Sequence, residues 1–275
     1  MIVKTDAIVL KTMKFGDTSK IVTFFTSEYG KVKCVAKGAR GNKHKFGSSL
    51  EPLQIVSLVL YKKEQRELQL VTQSDSLIPI KKISENLDVL SSAFSVLEIL
   101  NRVTQEESPN VQLFQAGVDT IQTMEEHPEE HAFALQQFFM HTCIAIGFAP
   151  SLESCANCGT SAENISSIER VAFQTAKGTF LCANCNSSGS RPAAAPKRFT
   201  DDIQRSSVVT IDVGTLQRLR HLTRSMTNGS SLKNLHSESE GEVVETLRLY
   251  LRYHIEDHRP LNSELLVKSF IQEEV

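Results

Sequence analysis

The sequence contains no tryptophan, and aromatic residues make up only 7% of its 275 positions, so any aromatic binding surface is modest. No window approaches the run of about 18 apolar residues that a membrane-spanning helix needs. A P-loop is also missing: the one Gly-Lys pair, Gly30-Lys31, is followed by Val32 rather than Ser or Thr. His254 and His258 have helical spacing, but Pro260 follows and no His-Glu-x-x-His pattern occurs, which argues against a hydrolytic metal site there. No nucleophile and base pair is legible. These absences argue against a membrane protein, a nucleotide hydrolase and a metallohydrolase, and they favour a binding protein over an enzyme.

The start, MIVKTDAIVLKT, lacks the apolar core and small-residue cleavage site of a signal peptide. The expectation is therefore a reducing cytoplasm, in which six cysteines are not a disulfide framework.

What is present is unevenly distributed. The net charge is only −2, yet residues 1–80 carry 13 Lys+Arg against 7 Asp+Glu, and the remainder carries 17 against 25. A basic first part on an acidic remainder suggests a polyanion partner at the front and something else behind. The excess is concentrated in Lys31–Phe46, KVKCVAKGARGNKHKF, with six Lys and Arg and no carboxylate. Val32, Cys34 and Ala36 alternate with Lys31, Lys33 and Lys37, which predicts a strand with one apolar and one cationic face. Gly38 and Gly41 then break it into a basic loop with Arg40, Lys43 and Lys45. Cations on a rigid sheet, continued into a loop, suit a polyphosphate backbone; the alternative is a solvated strand face.

Around that stretch the spacing predicts four more strands: Ile2–Thr12, Lys20–Thr26, Leu53–Tyr61 and Leu68–Ser76. Five short strands in about 80 residues fit a small closed barrel, either an OB-fold or an SH3-like fold. In an OB-fold the nucleic-acid face is formed by strands 2 and 3, where Lys20, Lys31, Lys33 and Lys37 lie. Phe15, Tyr29 and Phe46 each sit beside a glycine and are candidate stacking platforms for bases; the alternative for each is a residue closing one end of the barrel.

Three helices follow in residues 83–147. Ser84-Glu85 starts the first, Ser108-Pro109 caps the second, and Pro128 opens a third that stops at Gly147. Their apolar faces predict a helical bundle without catalytic chemistry. Next come two knuckles, Cys155-Ala-Asn-Cys158 and Cys182-Ala-Asn-Cys185, with a predicted β-hairpin between them. Four thiolates so arranged make a closed tetrahedral site, so the expectation is one structural Zn²⁺ on Cys155, Cys158, Cys182 and Cys185. A Ser/Ala/Pro-rich linker, Ser187–Pro196, leads to two more helices, Thr215–Met226 and Glu240–His254.

Taken in order, AIVLKTMKFGDTSKIVTFFTSEYGKVKCVAKGAR, KFGSSLEPL, LYKKEQRELQLVTQSD, GFAPSLESCANCG and YHIEDHRPLNSELL resemble the bacterial recombination-mediator family RecO over nearly the whole chain. The family usually has a more basic end, with Gly where this chain has Glu256-Asp257. The resemblance implies an α+β multidomain protein: a five-stranded OB-fold barrel for DNA at 1–80, and a helical C-terminal domain in two parts, 81–150 and 191–275, with a four-cysteine zinc module at 151–190 embedded. It also implies binding of single- and double-stranded DNA, annealing of complementary strands, a nucleoid-associated location, and loading of the recombinase with a RecR-like partner and single-stranded-DNA-binding protein. On this reading Lys20, Lys31, Lys33, Lys37, Arg40, Lys43, Lys45 and Phe46 contact DNA. The rival readings are a scaffold whose basic loop docks an acidic protein, and a zinc-containing nucleic-acid-processing enzyme.

Overall fold

The computed structural model describes residues 1–41, 46–63, 66–188, 208–228 and 240–255. They fall into two compact units, one running to Phe138 and the other starting at Phe139.

Period-two alternation builds the first unit's sheet from β1 (Ile2–Phe15), β2 (Ser19–Thr26), β3 (Gly30–Ala36), β4 (Ile55–Tyr61) and β5 (Gln69–Ile78). β1 is long enough to serve two partners. Its first half pairs with β4 (Ile2 opposite Tyr61, Ile8 opposite Ile55) and its second half with β2 (Ala7 opposite Thr26, Phe15 opposite Ser19), with a bulge between Val9 and Lys11. A parallel contact of β3 with β5, Cys34 opposite Gln69, closes the barrel in the order β1-β2-β3-β5-β4. Five strands closed in this order form an OB-fold barrel, which resolves the alternative left open by strand counting. Inward residues such as Val9, Val22, Phe24, Val32, Cys34, Leu58 and Leu60 fill the interior.

Part of the outer surface of β1 and β2 is covered by α1 (Leu87–Val103) and α2 (Val111–Glu126). The Phe25 ring meets Phe114 edge-on at 5.8 Å, and Gly117 lets Leu100 and Ile8 approach closely. Both helices start slightly later than the sequence suggested. The carboxylate of Glu125 accepts the backbone amides of Lys81, Lys82 and Ile83 (2.9–3.1 Å), fixing Lys82–Glu85 as a 3₁₀ turn. Asn86 then caps α1 through the Asp88 and Val89 amides, and Asn110 caps α2 through Leu113. Pro128 opens a further 3₁₀ turn that leads into α3 (His131–Ala145).

In the second unit β6 (Arg170–Gln174) lies between β7 (Thr179–Leu181) and β8 (Val208–Asp212). The β6–β7 hairpin is the predicted one; β8 was not foreseen. α4 (Ala183–Ser188) runs past Ser187, where the linker was expected to start, and residues 189–207 lie outside the described residues. α5 (Val213–Asn228) extends the predicted Thr215–Met226, and α6 (Glu240–His254) has the predicted bounds. Glu242 ties these elements together, accepting from Arg170, the Asp212 amide and the Thr215 hydroxyl at 2.7–3.0 Å. Among the described residues no helix is long and apolar enough to cross a membrane.

Candidate nucleic-acid interface and metal centre

The register of β1, β2 and β3 orders their outward side chains into rungs. Lys11, Thr23 and Lys33 form one, and Met13, Ile21 and Val35 the next; Phe15 lies opposite Ser19 at the hairpin tip. Met13 and Phe15 are 51% and 47% exposed, so two large apolar groups face water on this side of the barrel. After β3 the chain folds back over this tip: the Arg40 amide donates to Thr18 O (2.9 Å) and its guanidinium to Gly16 O (3.1 Å). Lys37 and Arg40 are both exposed, so these two cations and the exposed ring occupy one end of the barrel.

The other predicted DNA-contacting residues differ from one another. Lys20 pairs with Glu51 at 2.6 Å and its side chain is only 17% exposed. Lys31 is half-buried, with Nζ donating to Asn101 O at 2.8 Å; burial and the charge of Lys33 hold its pKa below the usual lysine value. Lys33 pairs with Glu106 at 2.6 Å. Lys43 and Lys45 lie outside the described residues.

Phe46 requires a correction. It is 5% exposed and belongs to the barrel interior, so its ring is unavailable for stacking. The Ser49 hydroxyl bridges Phe46 O (2.7 Å) and Ser74 O (2.9 Å), and this fixes the loop that inserts the ring. Of the two readings offered for this residue, closing the barrel is the one observed. Tyr29 likewise packs against the same core.

Glu106 was not anticipated. Its segment forms β-bridges with Gly30 and Lys31, which places its carboxylate on Lys33. Gly30 is required for this approach: its φ is +66°, and a Cβ there would lie 2.5 Å from Ser108 O. Nearby, Glu107 pairs with Lys62 at 3.0 Å. No local sequence signal marks either acid, since the contacts join residues 45 or more positions apart.

The second site is the sulfur cluster. Cys155, Cys158, Cys182 and Cys185 have their Sγ atoms within 4.8 Å of one another. The β6–β7 hairpin brings the two knuckles together, with the Ala156 amide on Phe180 O (2.9 Å) and the Cys182 amide on Cys155 Sγ (3.4 Å). Four sulfurs around one thiophilic ion at ~2.3 Å would stand about 3.8 Å apart; Cys158 and Cys182 are separated by 3.7 Å. The Thr160 hydroxyl and amide bring the Cys158 thiol down to about 6. Burial opposes ionisation of Cys155, but the amides of Cys158, Cys182 and Asn157 outweigh it and leave that thiol below its usual range. Burial pushes Cys182 up to about 12. Crowding four such groups is costly unless a central cation compensates their charge, so the donor set fits a metal ion. Four sulfurs around one ion would leave no open coordination position.

Comparison with known proteins agrees with this architecture. The family models described as "Recombination protein O N terminal" and "Recombination protein O C terminal" match residues 1–79 and 84–264. A protein of Nocardioides sp. named "DNA repair protein RecO" is 36% identical over 197 residues, covering 70% of this chain and 78% of its own. Proteins of the same name from Rubrobacter xylanophilus (28% identical; 94% of this chain, 92% of its own) and Chloroherpeton thalassium (30% identical; 94% of each) align over nearly the full length.

Proposed function

The chain belongs to the recombination protein O family, and from that premise we propose that it is a non-enzymatic mediator of DNA repair. It binds single- and double-stranded DNA, anneals complementary strands, and helps load the recombinase onto gaps coated with single-stranded-DNA-binding protein, acting with a RecR-like partner. The observation that carries the DNA part is one end of the barrel, where exposed Lys37 and Arg40 sit at a hairpin tip bearing exposed Phe15. Phosphates are held by the cations and unpaired bases lie on the ring, each stacked base contributing ~1–3 kcal/mol. Lys33, Lys43 and Lys45 extend the track. Neutralising phosphate charge lowers the repulsion between two strands and so the barrier to pairing, with no nucleotide consumed. The metal is Zn²⁺, with a structural role.

The test is annealing of two complementary oligonucleotides without nucleotide, across a salt series, for the wild type and for Lys37→Glu/Arg40→Glu/Lys43→Glu. Nucleotide-independent annealing that disappears in the folded triple variant is the expected result. Equal annealing by both proteins would move the DNA site elsewhere. An absence of binding by both, with protein partners still bound, would replace the mediator by a scaffold.

A further inference from the structure

Among the described residues three aromatic rings are both large and strongly exposed: Phe15 on the barrel, and Phe148 and Tyr253 in the second unit. The latter two meet one imidazole. His254 is stacked on Phe148 with centroids 4.1 Å apart and planes 23° from parallel, and Tyr253 contacts it edge-on at 5.2 Å. Phe148 is 41% and Tyr253 46% exposed, so apolar ring surface that could have been buried faces water.

The base of this ledge is rigid. Tyr250, buried beneath, donates its hydroxyl to Phe148 O (3.0 Å) and packs edge-on against Phe173. His254 Nε2 donates to Thr175 O (2.9 Å), since a carbonyl only accepts. The turn after Thr175 is pinned by the Ser151 amide on Gly178 O (2.7 Å), and any side chain at position 178 would collide with the Tyr250 hydroxyl. Burial lowers the basicity of His254, leaving a neutral ring near pH 7. Lys177 is exposed in that same turn, two residues after the Thr175 carbonyl that His254 meets.

We propose that Phe148, His254 and Tyr253 form a second nucleobase-stacking site, which takes one or two unpaired bases of single-stranded DNA while Lys177 meets the adjoining phosphate. The assignment rests on the DNA-binding reading above and extends it from one compact unit to both. Pre-ordered rings lose little conformational entropy on binding, and stacking on them is indifferent to base identity, as a strand-annealing protein requires.

The test uses the full chain with oligo(dT) carrying 5-iododeoxyuridine, crosslinked by near-ultraviolet light and mapped by mass spectrometry, together with fluorescence-anisotropy titrations. The expected result is a crosslink at Phe148 or Tyr253 as well as in the barrel. Phe148→Ala/Tyr253→Ala is expected to lose the ledge crosslink and bind oligo(dT) about tenfold more weakly, with its melting temperature and barrel crosslinks unchanged. Phe148→Trp is expected to keep wild-type affinity. Crosslinks confined to the barrel would overturn the proposal while leaving the DNA-binding reading intact, and would leave a protein partner as the occupant of the ledge. The wild-type crosslink map decides this even if the double variant is unstable. No binding of oligo(dT) by the wild type would overturn both.

Discussion

The barrel and the sulfur cluster hold their shapes by different means. The barrel closes on an apolar interior that includes Phe24, Leu58 and Leu60, each essentially without exposed surface, and every one of its strands has two hydrogen-bonded neighbours. Its candidate DNA contacts are side chains added to the outside of a scaffold that does not depend on them. The cluster is mixed: Cys155 and Cys182 are buried beside the hairpin residues Phe173 and Phe180, whereas Cys158 is exposed and Cys185 partly so. There the groups that define the site are also the groups that hold the structure. A functional surface on the barrel is therefore open to substitution without loss of fold, whereas a change at the cluster is a change in folding.

Removing the metal is the strongest way to separate the two. Apparent binding free energies of structural zinc sites run to ~10–16 kcal/mol, so chelation, or Cys155→Ser, is expected to unfold the knuckles and the hairpin between them. Limited proteolysis should then cut within residues 151–188 while the 1–80 segment stays protected. Alkylation reports the same event. Cys155, Cys158, Cys182 and Cys185 should react only after chelation, whereas Cys34, whose thiol burial raises to about 12, should stay unmodified as long as the barrel is folded. Barrel and cluster unfolding together would break the comparison.

Two phenylalanines sharpen it on the barrel alone. Phe46→Ala removes a ring from the interior and is expected to cost about 3–5 kcal/mol in stability, with DNA affinity unchanged for the fraction that remains folded. Phe15→Ala is expected to do the opposite: no measurable loss in a denaturant melt, and a loss of ~1–3 kcal/mol in oligonucleotide binding. If Phe15→Ala binds normally, the base platform is not at the hairpin tip.

These two residues also show how far the sequence could be read. Both sit beside a glycine, and adjacency to a turn says nothing about which way a ring points. That is decided by the Ser49 hydroxyl, which joins Phe46 O to Ser74 O, 25 positions beyond Ser49, and has no local signal. Alternation was sufficient where one face is dry: Val32, Cys34 and Ala36 point inward as spaced, and α6 has the predicted bounds because its stripe is long. Four cysteines in two knuckles were legible because metal chemistry demands that spacing. β8 was missed for the converse reason. It is five residues long, and its hydrogen-bonding partner β6 lies far back in the chain, so no hairpin pattern announces it.

The smallest effect tests whether the barrel surface is tuned from within. Glu106 and Lys33 are each about half exposed, at 50% and 48%, and pair at 2.6 Å. Exposed pairs of this kind contribute ~0–1 kcal/mol, so Glu106→Gln leaves stability almost unchanged. What it alters is competition. A phosphate reaching Lys33 must first displace the carboxylate, and with Gln at position 106 it meets a free ammonium instead. DNA affinity is then expected to rise by up to about fivefold, the equivalent of the pair's ~0–1 kcal/mol. The slope of log affinity against log salt should steepen by about 0.7, one additional single-strand phosphate contact. Lys31 stays tied to Asn101 O, so the change should not exceed that of a single cation. An unchanged slope in Glu106→Gln would remove Lys33 from the DNA track and leave it to Lys37, Arg40, Lys43, Lys45 and the hairpin tip.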